Sequence, residues 1–98
     1  MEKLKKHYVY ILCCADDTLY TGYTTDPARR LEEHNLGIGA KYTRSRLPVS
    51  LVYVEEGADK SWGLKREAAI KKLSRKDKLE LIKKAGDWHG KTSRKLFK

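Results

Sequence analysis

The feature that most constrains the fold is the run "HYVYILCC", which begins at His7. If this run is extended, Tyr8, Tyr10, Leu12 and Cys14 line one face, and the alternate residues on the other face are also mostly apolar. A strand that is apolar on both faces is typical of a buried position between two layers. We therefore predict a central strand in a small sheet that is covered on both sides.

Turn and cap residues delimit the next two elements. The turn cluster "ADD" is followed by the β-prone "TLYTGY", which predicts a hairpin. Gly22 within that second strand indicates a bulge or a close approach to the backbone. Asp26 as N-cap, Pro27 at the first helical position and Gly37 just beyond the end predict a helix over residues 27–36.

The rest of the chain adds one strand and two helices. After a loop that is first glycine-rich and then basic, "VSLVYVEE" alternates as a third strand, and a helical pattern runs from Asp59 or Lys60 to Leu73. Ser74 begins a capping pattern that predicts a separate helix, "RKDKLELIKKA", ended by Gly86. The predicted fold class is therefore α+β, a small three-stranded sheet flanked by helices in the order ββαβαα. We expect one domain over residues 1–86 and a mobile basic tail over residues 87–98.

Composition excludes a membrane protein and indicates a reducing compartment. The longest apolar run, Val9 to Ala15, is far shorter than the roughly 20 residues that span a bilayer. Residues 1–6 lead into a strand too short to serve as a signal-peptide core, so we expect a cytoplasmic protein. Cys13 and Cys14 are adjacent and would point to opposite faces, which favours plain strand residues over a redox or metal role.

The net charge of +9 comes entirely from the C-terminal part of the chain. Residues 1–56 contain 8 Lys and Arg against 8 Asp and Glu, whereas residues 57–98 contain 14 against 5. A basic surface of this kind favours a polyanionic partner such as nucleic acid, although a solvated helix face has the same composition.

The first helix carries one polar pair of interest. We expect Ala28, Leu31 and Asn35 to face the sheet, and Arg30 and His34, four residues apart, to emerge side by side on a neighbouring face. Such a pair is ordinarily two solvated neighbours.

Three further polar residues also have ordinary interpretations. Tyr10 and Tyr20 on hairpin strands could simply pack in the core with their hydroxyls at its edge. Glu67, in a strongly basic helix, could form an ion pair with Lys71 one turn later.

Taken in order, four segments of the chain resemble the GIY-YIG nuclease domain: "YVYIL", "LYTGYT", "DPARRLEEHN" and "REAAIKKL". Residues 8–10 and 20–22 match the two signature elements. The helix supplies Arg30 and His34, and Glu67 falls where the family keeps its metal-binding glutamate. Five elements in order at fitting distances are far more specific than any one of them.

The resemblance covers about residues 7–83 and is strongest to the small stand-alone bacterial members of uncharacterised role. Their loop and second helix are similar to "AKYTRSRLPVSLVYVE" and "REAAIKKLSR". Two positions depart from the signature. Tyr8 replaces a glycine, which bears on local strand geometry, and Thr21 replaces an isoleucine.

The resemblance implies a metal-dependent endonuclease that hydrolyses phosphodiester bonds in DNA. Arg30 would hold the phosphate, and Glu67 would bind Mg²⁺, with Mn²⁺ as a substitute. We expect Tyr10 to act as general base, Tyr20 to position water or phosphate, and His34 to assist proton transfer. The family analogy leaves the identity of the base open among those last three residues. A phenol with a pKa near 10 needs that pKa lowered by its neighbours to serve at neutral pH.

Substrate binding is assigned to one glycine, which leaves room for a phosphate, and to basic side chains: Gly22, Lys41, Arg44, Arg46, Lys65, Arg66, Lys71 and Lys72. No attached reading module is recognisable, so we expect a structure-selective enzyme linked to DNA repair or processing, monomeric and acting on DNA in preference to RNA. Two alternatives remain open. One is a non-catalytic nucleic-acid-binding module with the same fold, and the other is that these residues serve only packing and solubility.

Overall fold

A computed structural model describes residues 5–85 of the chain. Its elements, in chain order, are β1 His7–Cys13, β2 Leu19–Thr24, α1 Pro27–Asn35, α2 Lys41–Arg44, β3 Ser50–Gly57, α3 Lys60–Lys71 and α4 over residues 75–85. This confirms the α+β fold class with a small three-stranded sheet flanked by helices. The prediction differs at α2, a single helical turn that lies within the predicted loop. Gly86 and the predicted tail lie outside the described residues.

The sheet is antiparallel in the order β2-β1-β3, so β1 is central as predicted. The pairing of β1 with β2 is regular and sets Tyr10 opposite Gly22. The irregularity lies instead between β1 and β3, where the register shifts between Ile11 and Leu12. Gly22 therefore does not mark a bulge. Strand β2 lies at the edge of the sheet.

Both faces of β1 are buried, which is why its sequence is apolar throughout. Val9 and Ile11 pack with Tyr53 and Ile70 in the layer that α3 covers. The opposite face forms a second cluster, which consists of Tyr10, Leu12, Cys14 and Val49. Cys13 and Cys14 are both free thiols, in agreement with the prediction for the cysteines.

Side-chain caps fix the helix starts that the sequence predicted. Asp26 accepts a hydrogen bond from the Arg29 amide at 3.2 Å, and Asp59 accepts one from the Trp62 amide at 2.8 Å. Ser74 caps α4 by accepting from the amide three residues later at 3.1 Å. Within residues 5–85, no helix has the length and apolarity needed to cross a membrane.

The orientation of α1 differs from the predicted one. Ala28 is exposed, and His34, which was expected to emerge beside Arg30, is completely buried. Leu31 does pack on the sheet, and the Asn35 side chain exchanges hydrogen bonds with the backbone of Val49. The helix is rotated because His34 has polar partners inside the fold, so its burial costs little.

Candidate active site

Tyr10 is the centre of the candidate site. Its side chain is 2% exposed and lies across Gly22 on the neighbouring strand. A Cβ atom at Gly22 would clash with the phenol ring, so glycine is required for Tyr10 to adopt this position. The prediction that Gly22 leaves room for a phosphate is therefore wrong, because the phenol fills that space.

His34 lies directly behind the phenol. Its Nε2 atom is 2.9 Å from the Tyr10 hydroxyl, and its Nδ1 atom is 2.8 Å from the hydroxyl of Thr43, which is also completely buried. The loop after α1 closes tightly over the ring, since a Cβ atom at Gly39 would clash with the imidazole. His34 is thus held by polar contacts on both of its nitrogens.

Tyr20 completes an aromatic group at the start of β2. Its ring meets His34 edge-on, with centroids 5.4 Å apart, and lies 6.5 Å from the ring of Tyr10. On its outer side it stacks with Tyr42, and the Arg46 guanidinium lies 3.9 Å from the centre of the Tyr42 ring. Helix α2 therefore supplies an aromatic wall to the site.

Arg30 reaches the same region from α1. Its guanidinium donates to Glu33 at 2.9 Å, and its side chain is 32% exposed. Arg30 is also near enough to Tyr10 for its positive charge to act on the phenol. A half-exposed guanidinium beside a buried hydroxyl can bind an anion that approaches from solvent.

Glu67 approaches Tyr10 from α3, and its negative charge acts on the phenol from that side. Its carboxylate is 20% exposed, and the ion pair it forms within the described residues is with Lys71 at 3.1 Å, as the i,i+4 spacing predicted. Residues 5–85 contain no group of three or more acidic, histidine or cysteine side chains that could hold a metal ion. Glu67 is a single carboxylate beside Lys71, and Mg²⁺ is an ion that can be bound through one carboxylate when water and substrate oxygens complete its shell.

Burial sets the protonation of the two central groups. It raises the pKa of Tyr10 to about 12, and the nearby charge of Arg30 only partly opposes this effect. Burial also lowers the pKa of His34, and Arg30 adds to that shift. The lowered phenol pKa that would suit a general base is thus not found, because burial outweighs the positive charge. A protonated phenol instead faces a neutral imidazole.

Two clefts flank this group along the open edge of β2. The first, which we call the arginine cleft, has a volume of about 320 Å³ and is lined by Tyr23, Thr24, Thr25, Asp26, Arg29, Arg30 and Glu33. The second, the lysine cleft, has a volume of about 260 Å³ and is lined by Leu19, Tyr20, Thr21, Tyr42, Lys71 and Lys78. Arg30 and Tyr20 thus connect the central group to the two clefts.

The structure places the predicted basic substrate-binding residues differently from one another. Arg66 does not belong to the site, because its guanidinium makes two hydrogen bonds of 2.7 Å to the carboxylate of Glu55. Arg46 donates to Asp16 in the β1–β2 turn at 3.0 Å and to the Tyr42 carbonyl at 2.8 Å. Lys71 does line a cleft. The remaining basic residues are exposed and lie outside both clefts: Lys41, Arg44, Lys65 and Lys72.

Sequence reasoning missed four residues of the site. Tyr42 and Thr43 lie in the stretch predicted as loop, where no periodic pattern marks them. Lys78 is one of several lysines on α4, and the sequence does not show which of them lines the lysine cleft. The structure shows that Lys78 does. Thr21, the residue at the isoleucine position of the signature, lines the same cleft, and its buried hydroxyl has no hydrogen-bond partner among residues 5–85.

Comparison with known proteins identifies the relatives of this chain. A UPF0213 protein from Natronomonas pharaonis is 58% identical over 76 residues, which cover 78% of this chain and 89% of that protein. One from Syntrophus aciditrophicus is 59% identical over 81 residues, covering 82% and 93%.

Solved structures agree with these sequence relatives. The solution NMR structure of a UPF0213 protein from Bacillus halodurans superimposes with a TM-score of 0.55 at 47% identity, covering 83% of this chain and 86% of that one. That of a protein from E. faecalis gives a TM-score of 0.57 at 50% identity, covering 86% and 90%.

A family match covers the whole candidate site. The profile described as the GIY-YIG catalytic domain matches residues 6–80, a range that includes every element from β1 to α3 and part of α4. The chain belongs to the GIY-YIG family.

Proposed function

We propose that this protein is a metal-dependent endonuclease that hydrolyses phosphodiester bonds in nucleic acid, with DNA as the preferred substrate. The observation that supports this proposal is the meeting of five side chains at the open edge of β2: Tyr10, Tyr20, Arg30, His34 and Glu67. They come from four different elements of the fold. Their meeting at one place is what the catalytic interpretation of the signature requires.

Arg30 binds the phosphate group in this proposal. A guanidinium offers two parallel N–H donors to a phosphate, and charge builds up on the phosphate oxygens in the transition state. Arg30 and its hydrogen-bond partner Glu33 both line the arginine cleft, and the Arg30 side chain is 32% exposed. The guanidinium is therefore accessible to a phosphate that enters this cleft.

Tyr10 and His34 move the proton. The attacking water gives a proton to the Tyr10 oxygen while the phenol passes its own proton to Nε2 of His34 over the 2.9 Å contact. The water oxygen bonds to phosphorus as the bond to the leaving nucleotide oxygen breaks. Because the phenol exchanges one proton for another, it never needs to exist as a free phenolate at neutral pH. This removes the difficulty raised by its pKa of about 12.

Glu67 would hold the Mg²⁺ ion, which when bound would stabilise negative charge on the departing oxygen. The Glu67 carboxylate forms an ion pair with Lys71 at 3.1 Å, and Lys71 lines the lysine cleft. Tyr20 borders both the central group and this cleft, so it lies where it can orient water or a neighbouring phosphate.

The test is cleavage of plasmid, branched and single-stranded DNA, and of matched RNA, in Mg²⁺ and in Mn²⁺. We expect metal-dependent strand breaks that are lost in Glu67→Gln and Arg30→Lys. Glu80→Gln, an exposed carboxylate change on α4, is the control and should cleave like the wild type. Cleavage that persists in both site variants would come from a contaminating enzyme and would overturn the proposal.

A non-catalytic nucleic-acid-binding module is the second candidate. The Glu67–Lys71 ion pair favours it, since this contact occupies the carboxylate that metal binding requires. This alternative predicts salt-sensitive binding without turnover in either metal, and binding that does not change in Glu67→Gln.

A further inference from the structure

A chain of buried hydrogen bonds continues behind Tyr10 and ends on the backbone. The Tyr10 hydroxyl is 2.9 Å from His34 Nε2, His34 Nδ1 is 2.8 Å from the Thr43 hydroxyl, and that hydroxyl is 3.0 Å from the carbonyl of Ala40. His34 and Thr43 are both completely buried. The protein groups that hydrogen-bond to the His34 ring, and not solvent, therefore determine which ring nitrogen carries the proton.

The hydrogen bonds of this chain can run in two opposite directions, and only one of them gives the Tyr10 proton an acceptor. If Thr43 donates to the Ala40 carbonyl, its oxygen accepts from Nδ1–H of His34, and Nε2 is free to accept from Tyr10. The reverse direction has Thr43 and the Ala40 amide both donating to Nδ1, the amide from 3.5 Å. Nε2–H would then donate to Tyr10, whose own proton would have no acceptor among residues 5–85. The first direction loses only the 3.5 Å contact of the half-buried Ala40 amide with Nδ1, whereas the second leaves the proton of a phenol that is 2% exposed without a protein acceptor, so the second is the costlier arrangement.

We propose that Thr43 is a positioning residue that holds neutral His34 as the Nδ1–H tautomer, so that the Nε2 lone pair faces Tyr10. In this arrangement Thr43 donates its own proton to the Ala40 carbonyl, 3.0 Å away, and its oxygen accepts from Nδ1–H. The consequence for catalysis rests on the proposed function, because the tautomer affects turnover only if Tyr10 passes its proton to His34. A valine at this position would fill the same volume but would leave Nδ1 of buried His34 without its hydroxyl partner.

The experiment reads the tautomer directly. Protein labelled with ¹⁵N at its histidines reports Nδ1 and Nε2 of His34 by their chemical shifts and their couplings to the ring protons, at a pH where the ring is neutral. We compare the wild type with Thr43→Val, which keeps the shape and removes the hydroxyl, and with Thr43→Ser, which restores it. Metal-dependent cleavage is measured on the same three proteins.

We expect the Nδ1–H tautomer in the wild type and in Thr43→Ser, and a shift toward Nε2–H in Thr43→Val. Cleavage by Thr43→Val should fall on the order of 10²-fold, the size of effect expected when an acid–base group is disabled, and Thr43→Ser should recover most of it. A reduced kcat with little change in KM is the expected pattern, since Thr43 is buried away from both clefts.

Two outcomes overturn the inference. One is an Nε2–H tautomer in the wild type, a result that does not depend on the folding of any variant. The other is an Nδ1–H tautomer that persists in Thr43→Val. A wild type that shows the Thr43-dependent tautomer but cleaves no nucleic acid supports the positioning by Thr43 and overturns only the proposed function.

Discussion

The two sides of the sheet each hold a buried tyrosine within a polar group, and the two groups differ in one respect. On the α1 side, Tyr10 meets the neutral ring of His34, and Arg30 lies beside it at the wall of an open cleft. On the α3 side, Tyr53 donates to Glu55, which Arg66 also binds with two hydrogen bonds of 2.7 Å. Tyr10 is 2% exposed and Tyr53 is 9% exposed, so burial alone does not distinguish them.

The two groups differ in the partner of the tyrosine hydroxyl and in whether the charged side chains are already paired. Glu55 satisfies both Tyr53 and Arg66, so the α3-side group is closed and its charges cancel. Burial raises the pKa of both tyrosines, and each hydroxyl has a partner. Only at Tyr10 is that partner a neutral imidazole, whose ring nitrogen can exchange a proton with the phenol, whereas the Glu55 carboxylate is already paired with Arg66. A buried tyrosine next to an arginine is therefore not a sign of catalysis unless a proton acceptor and an open approach accompany it.

Removing one hydroxyl from each group should separate the roles of Tyr10 and Tyr53 most clearly. Tyr10→Phe keeps the ring over Gly22 but removes the proton path, so we expect metal-dependent cleavage to fall by about 10²- to 10⁴-fold. Tyr53→Phe should leave cleavage unchanged and lower the free energy of unfolding by about 1 kcal/mol. Initial rates and urea unfolding curves measure both effects. Equal cleavage by the two variants would mean that the Tyr10 group is as passive as the Tyr53 group.

The group of Tyr53, Glu55 and Arg66 should instead contribute to the free energy of unfolding, and this contribution should depend on pH. Although burial acts to raise it, hydrogen bonds from Arg66 and then Tyr53 hold the pKa of Glu55 below its ordinary value. A lowered carboxyl pKa adds stability that is present above about pH 4.3, where the unfolded chain is ionised, and is lost as the pH falls through the folded-state pKa. We expect Glu55→Gln to cost roughly 1–3 kcal/mol at pH 7 and progressively less at lower pH.

Glu56 provides the matched control for this effect. It is the next residue in β3, is exposed, and pairs with Lys6 at 3.0 Å on the surface. Glu56→Gln should change the free energy of unfolding by about 0–1 kcal/mol, as for other exposed ion pairs. If both variants lose the same stability, or if the Glu55→Gln difference does not shrink at low pH, the Arg66–Glu55 pair does not have the proposed role.

The sequence predicted the elements well because their signals are local. The two-sided apolar pattern of β1 and the caps Asp26, Asp59 and Ser74 each depend on residues close in sequence, and the structure contains all of them. The family signature also identified which side chains meet at the edge of β2. What failed was the orientation of α1, because the burial of His34 depends on partners in other elements.

The remaining errors concern contacts between residues distant in sequence. Arg66 was predicted to bind substrate because an arginine in a basic helix has no local sign of its partner, and Glu55 lies eleven residues earlier on β3. Gly22 was interpreted as space for a phosphate because periodicity cannot show that Tyr10 occupies that space. Thr43 carries no signal at all, since its role exists only once α2 places it against His34.

The smallest expected effect is on DNA binding at the lysine cleft, and one lysine substitution there tests it selectively. Lys78 lines this cleft beside Tyr20, whereas Lys76, two residues earlier on α4, is exposed and lies outside both clefts. If a substrate phosphate binds there, Lys78→Ala should weaken DNA binding several-fold and reduce the slope of log K against log salt by about 0.7–0.9, the loss of one phosphate contact. Lys76→Ala removes the same charge from the same helix and should change neither quantity as much. Binding titrations at several salt concentrations without metal measure this effect independently of cleavage. Equal losses in the two variants would mean that α4 attracts DNA only through its overall charge and that the lysine cleft contacts no phosphate.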